Sequence, residues 1–203
     1  MARGKLRRVL RKRIAIVGDG HTERIYFHQM SKFENLRIHG IDIKPELPDN
    51  KEWSKAIERA AQLADGGYDR VYAIVDLDVI YQKNRIEAFK SRWKKLKKEY
   101  KKKIKLIRCN PCFEIWFLLH FINTTKLFRN CDECVTDLND HLDGYVKTKE
   151  WLESNIIYEK LKPNQLQAIK HARRVNSLSE TAGQLHHPVC DVQKIVTYVL
   201  DND

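Results

Sequence analysis

The sequence predicts an α/β fold, a mostly parallel sheet flanked by helices with a helical C-terminal annex, from three observations. Short apolar runs alternate with helix-period segments over residues 13–109, the alternation stops after Asn110-Pro111, and no linker or internal repeat interrupts the chain. Residues 13–18 (RIAIVG) read as a strand ending in glycine, and residues 22–34 as a helix with Ile25, Tyr26 and Met30 on one side. Residues 36–44 (LRIHGIDIK) read as a second strand. A second helix over 52–64 turns Trp53, Ile57, Ala60, Ala61 and Ala64 inward and stops at Gly66-Gly67. Residues 71–75 (VYAIV) form the third strand. The helix over 85–100 spaces Ile86, Phe89, Trp93, Leu96 and Tyr100 three and four apart with lysines opposite, and residues 103–109 (KIKLIRC) supply the fourth strand. This order implies right-handed crossovers, helices on both faces and functional groups at the carboxyl ends of the strands. Residues 113–121 (FEIWFLLHF) are apolar nearly all round, the pattern of a buried helix, and further helices are expected at 132–142, 149–161, 164–178 and 188–200. The expected division is a basic arm (1–12), an α/β core (13–122) and a helical part packed on it (123–203).

With 42% hydrophobic and 32% charged residues in 203, the chain has enough apolar side chains for a core. No window approaches the ~18 uncharged apolar residues that span a bilayer, so no membrane association is expected. The start, MARGKLRRVLRKR, has no apolar stretch or small-residue cleavage site of a secretory signal, which makes the cytoplasm the expected compartment. The net charge of +11 is concentrated. Residues 1–13 hold seven bases and no acid, residues 90–105 hold ten bases against Glu99, and the remainder has 21 bases against 26 acids. A mildly acidic body with two cationic stripes suits a polyanion, because clustered Lys and Arg release phosphate counterions on binding. Lys94, Lys95, Lys97, Lys98, Lys101 and Lys102 are the expected nucleic-acid contacts; a solvated helix face is the plainer account.

The acids carry the chemistry. Asp19 and Glu23, in GDGHTE, lie at the end of the first strand, and Gly18 and Gly20 permit a sharp turn between them and the sheet. Asp76 and Asp78, in VDLD, end the third strand, where an extended D-x-D would put both carboxylates on one side. Singly, each has an ordinary use: a turn for Asp19, a first-turn acid for Glu23, a cap for Asp76. Gathered in one crevice, four carboxylates repel, and a divalent cation with all-oxygen ligands, Mg²⁺ or Mn²⁺, resolves the repulsion. Beside a cationic surface this is the equipment of metal-assisted phosphodiester cleavage.

Cysteines offer a competing site. Five cysteines without a signal peptide argue for thiols or a metal rather than a disulfide framework. Cys109, Cys112, Cys131 and Cys134 form C-x2-C-x18-C-x2-C, a spacing suited to structural Zn²⁺ provided the intervening segment folds back; small buried hydrophobes are the alternative. Gly18 to Glu23 lacks the Gly-Lys-Ser/Thr of a Walker A loop, and a deaminase reading of His21-Thr22-Glu23 fails because Ile115 stands where the second cysteine would be. The remaining histidines show no ligand spacing.

The blocks IVGDGHTE, YAIVDLD, NPCFEIWFLLHF and GYVK, with the late HPVCDV, together resemble the RloB family, found in bacterial and phage-defence loci. The resemblance spans almost the whole chain, and NPCFEIWFLLHF is its most specific piece. It implies a TOPRIM- or Rossmann-like core similar to that of the overcoming-lysogenization-defect nucleases, with Asp19-Gly20 in place of the usual Glu-Gly pair and with Asp76 and Asp78 as metal ligands. Asp19 is one methylene shorter than the usual glutamate, a difference that matters where sites tolerate ~0.5 Å of misplacement. By the resemblance, Glu114 lies on the buried helix, where an acid among Phe113, Ile115, Trp116 and Phe117 must be paired or ligating. Lys147, in GYVK, matches a basic family position and would touch a phosphate, or else be solvated.

The expectation is therefore a divalent-metal-dependent nuclease of phage defence, with Asp19, Glu23, Asp76, Asp78 and Glu114 at its centre. The alternative is a non-catalytic, degenerate TOPRIM adaptor that binds nucleic acid or a partner ATPase.

Overall fold

The computed structural model describes residues 12–18, 20–37, 41–46, 52–182 and 187–201. The expected basic arm falls almost entirely outside them, as does Asp19. Four parallel strands form the sheet, β1 (Lys12–Val17), β2 (Ile41–Glu46), β3 (Arg70–Asp76) and β4 (Ile104–Asn110), in the order β2-β1-β3-β4. Alternate residues of β1, β3 and β4 face opposite layers, as the two-residue period of an extended chain requires. Ile14, Ile16, Tyr72, Ile74 and Ile107 enter one core with α1 (His21–Phe33) and the C-terminal helices. Ala15, Val17, Val71, Ala73, Val75 and Ile104 enter the other with α2 (Trp53–Asp65) and α4 (Ile86–Tyr100). Both faces are thus covered, which explains the continuous apolar strands.

Several boundaries differ from the sequence pattern. β2 begins at Ile41, because Leu36 and Arg37 are still in the turn that follows α1. A five-residue helix, α3 (Asp78–Gln82), starts directly after β3, so the D-x-D is not extended through its second aspartate: Leu77 is already in the right-handed helical region. The buried helix is short, α5 (Glu114–Leu118), although residues 113–120 are all buried. After α6 (Cys131–Asn139), the expected helix over 149–161 breaks into α7 (Lys149–Ser154) and α8 (Ile157–Leu161) at Ile156, whose φ of 45° is left-handed. A 3-10 turn leads into α9 (Gln165–Ala182), and the last expected helix is a two-residue strand, β5 (Val189–Cys190), followed by α10 (Gln193–Leu200). No helix among the described residues is long and apolar enough to cross a membrane.

β5 joins β4 antiparallel, and a polar knot holds it there. Asp191, 1% exposed, accepts from Arg108 Nε at 2.7 Å and from Lys194 Nζ at 2.6 Å, while Asn176 of α9 donates to Cys190 O and accepts from Cys190 N. Burial opposes the Asp191 charge, but Arg108 and Lys194 outweigh it and hold the carboxyl below its usual range. The knot accounts for the HPVCDV block, which anchors the C-terminal helices to the sheet.

His120, 1% exposed at the end of the buried segment, sets its Nδ1 2.8 Å from Trp116 O. Burial depresses its pKa to about 4, despite the opposing backbone contacts. Because the folded value lies below the unfolded one, the neutral ring favours the fold fully above pH 6.5, and that advantage is lost as pH falls towards 4. The loss amounts to about 3 kcal/mol for this one group. Thermal melts between pH 7 and 4 should show a falling Tm, with a shallower fall in His120→Phe; equal slopes in the two proteins would contradict this account.

Candidate active site

In the order β2-β1-β3-β4 the connections leave β1 in one direction and return across it to β3, so the topological switch point lies between β1 and β3. In open α/β sheets such a point is where the connecting loops diverge and leave a crevice with room for a ligand at the carboxyl ends of the strands. Glu23, on the first turn of α1, and Asp76, the last residue of β3, stand on its two sides, with Asp78 two residues beyond.

Glu23 is 3% exposed and sits under the turn that leads from β1 to α1. A Cβ added at Gly18 would meet Glu23 Cβ at 2.8 Å, and one added at Gly20 would meet Glu23 Oε2 at 2.8 Å. Gly18 is demanded by this side chain, whose Cβ cannot move aside, whereas a side chain at Gly20 would displace only the mobile end of the carboxylate. Asp78, 8% exposed, accepts from the backbone N–H of Val79 at 2.6 Å and of Cys131 at 3.2 Å, and so fixes the start of α6 against the crevice.

Glu114 is completely buried among Phe113, Ile115, Trp116 and Phe117, and its carboxylate is supplied with donors from three directions. Thr22 Oγ1 of α1 donates at 3.2 Å, Tyr145 Oη at 3.0 Å and Lys147 Nζ at 2.9 Å. Burial works against the Lys147 charge, but Glu114, Asp76 and Glu23 together outweigh it and raise its pKa, so the ammonium stays protonated. Burial and then Glu114 push Tyr145 up as well, which keeps its hydroxyl a donor. The shared influence of Glu23, Asp76 and Glu114 on Lys147 places all four in one electrostatic neighbourhood. Lys147 is 44% exposed, so the cation faces both the buried acid and the solvent of the crevice.

The four cysteines do not assemble as their spacing suggests. Cys112 and Cys131 are bonded to each other as a disulfide, contrary to the expected thiols, while Cys109 and Cys134 are free and buried, with burial raising both thiols well above their ordinary range. Cys112, Cys131 and Glu114 do cluster, with ligand atoms within 4.8 Å of one another, and Lys147 Nζ lies 3.4 Å from the Cys131 sulfur. The physical reason is local: Cys109 is inside β4 and Cys134 points into the α6 core, so only the inner pair reaches the crevice.

The α4 lysines are exposed but stand elsewhere. Crossover helices run antiparallel to the strands they connect, so the end of α4 carrying Lys97, Lys98, Lys101 and Lys102 lies near the amino end of β4, the far end of the sheet from the crevice. Lys94 and Lys95 lie eight and nine residues into the helix from Ile86, ~12 Å along its axis. The structure thus brings Glu23, Asp76, Asp78, Glu114 and Lys147 together and leaves the lysine stripe apart. Sequence reading missed Thr22 and Tyr145; the period-two Tyr145-x-Lys147 was the available signal, since a buried acid needs donors from a neighbouring segment.

Removing the Lys147 ammonium leaves a buried charge with only two neutral donors. Lys147→Met should lower stability by about 2–3 kcal/mol in urea unfolding, and Lys147→Met/Glu114→Gln should recover most of it. A double variant no more stable than the single would show that the pair is not coupled.

The described geometry can be set against known proteins. A family model described as RloB-like protein matches residues 14–199. No curated protein and no solved structure matches the chain. The match covers nearly the whole chain, including both strand-end acid pairs and the Glu114 and Lys147 blocks, and the chain belongs to the RloB-like protein family.

Proposed function

We propose that this RloB-like protein is a divalent-metal-dependent phosphodiesterase that cleaves nucleic acid, and that it does so in defence against phage. The observation that carries the reading is the placement of Glu23, Asp76 and Asp78 on both sides of the topological switch point, in the field of the protonated Lys147. These donors are all oxygens, and Gly18 and Gly20 leave Glu23 a close-fitting backbone cradle, so the residues fit a hard cation such as Mg²⁺ or Mn²⁺. Asp19, between those glycines in sequence, joins the set by the family resemblance. When bound, the ion supplies Lewis-acid stabilisation of the phosphoryl oxygens and a more acidic water. Lys147 holds its proton and meets a substrate phosphate, while Glu114, with Tyr145 and Thr22, keeps that ammonium at the crevice. The α4 lysines act at a distance by raising the local concentration of polyanion.

One feature favours a second reading, the non-catalytic adaptor that binds nucleic acid or a partner ATPase: the Glu114 carboxylate already has three protein donors. In that case the crevice recognises without cleaving.

Cleavage of single- and double-stranded DNA and RNA with Mg²⁺ or Mn²⁺ separates the two. Asp76→Asn/Asp78→Asn keeps one of the two acceptor oxygens that Asp78 offers to the N–H groups of Val79 and Cys131, and an unchanged circular dichroism spectrum checks that the fold survives the loss of the other. It should cut the rate by more than about a hundredfold, since even outer-shell changes at metal sites cost 10–100-fold. Saturable Mn²⁺ binding by calorimetry should vanish with it. Undiminished cleavage by this variant sinks the proposal, and absence of cleavage by the wild type on every substrate transfers the crevice to the adaptor.

A further inference from the structure

A groove of about 640 Å³ runs along α1 with Ile25 of the first core in its lining, and neither the strand-end acids nor the α4 stripe accounts for it. Arg24, His28 and Lys32, four residues apart, form one wall; Glu153 and Ile156 form the other, and Phe33 closes the far end. Spacing of four residues puts the three basic groups in a row along the helix, ~12 Å from first to last. The row starts beside the crevice, because Arg24 follows Glu23 directly in the first turn of α1. We infer that this groove binds a single-stranded segment of nucleic acid and leads it into the acidic crevice, with phosphates on Arg24 and Lys32 and a base stacked on Phe33. The inference rests on the phosphodiesterase reading for the direction of the strand but not for its binding.

Four observations support it. Arg24 lines the groove, and its Nε, shut off from solvent, has no hydrogen-bond partner among the described residues, so that donor is unsatisfied. His28 is held below its ordinary pKa by burial first and then by Lys32 and Arg24, with Glu153 acting the other way; the wall is electropositive before any ligand arrives. Phe33 is 46% exposed, yet its ring is fixed by an edge contact with Tyr158 at 5.6 Å, which makes it a firm platform for a base. Ile156, 49% exposed across the groove, has a φ of 45°, a conformation that β-branched residues avoid. Strain of this kind persists where the surroundings impose it, commonly at sites that bind. A duplex has its base faces occupied by stacking and offers nothing to Phe33, whereas an unpaired strand does.

The experiment uses the full chain, chelator in the buffer, and a fluorescein-labelled oligothymidylate read by anisotropy across salt concentrations. Wild type should bind under these conditions. Arg24→Ala/Lys32→Ala should weaken binding at least about tenfold and lower the salt slope by about two, one for each lost phosphate contact. Phe33→Ala should weaken it roughly tenfold with no change of slope. Both sets of positions are at the surface or half-buried, so the fold is kept. Wild-type affinity in both variants, no binding by wild type, or a loss confined to Lys97→Glu/Lys98→Glu on α4 would overturn the inference. Binding as described without cleavage on any substrate would overturn the phosphodiesterase reading alone.

Discussion

A buried carboxylate needs a compensating charge, and in this protein the need of Glu114 organises the molecule. The acid sits on a five-residue helix between aromatic and aliphatic residues of its own segment, where an uncompensated charge would cost several kcal/mol. The compensation comes from distant parts of the chain: Thr22 from the first helix, and Tyr145 and Lys147 from the segment between α6 and α7. Satisfying one group therefore pins the C-terminal helices, the first helix and the buried segment to one point. That point adjoins the switch of the sheet, so the same requirement that holds the fold together also delivers an ammonium to the acidic crevice.

The disulfide strengthens the same junction. It joins Cys112, immediately before the buried helix, to Cys131 at the start of α6, and the closed ring contains the irregular stretch between them. A cross-link across about 19 residues removes roughly 3 kcal/mol of unfolded-chain freedom in the loop-entropy account. Asp78 grips the same helix start through the Cys131 N–H. Two of the candidate acids thus have structural duties as well as chemical ones, and at Asp78 an amide keeps one of the two backbone acceptors that an alanine would remove altogether.

The sheet was legible in the sequence because strand residues such as Ile14, Ile16, Val71 and Ile74 are apolar on both sides, a pattern only a covered sheet explains. The strand-end acids were legible for the same reason: once the strands are placed, Glu23 and Asp76 must lie at their carboxyl ends. What escaped were features set by one or two residues in contact with remote ones. α3 begins at Asp78 with too few residues for a period, and β5 exists because Asn176 and Arg108 hold two residues beside β4. The cysteine spacing was compatible with four converging sulfurs, but β4 geometry turns Cys109 inward. The position of the α4 lysines follows from topology rather than from charge: a crossover helix carries its last turn to the end of the sheet opposite the carboxyl end of the strand that precedes it.

The sheet has two margins, and each is closed to extension in a different way. At β2 the backbone of Pro45 has no N–H to offer an incoming strand, and at β4 the carboxyl half is already taken by β5 and Asp191, whose N–H donates to Arg108 O. Among the described residues, neither margin offers a peptide or a second copy of the chain an unbroken ladder. Strand addition is thus interrupted at Pro45 on one margin and at Asp191 on the other.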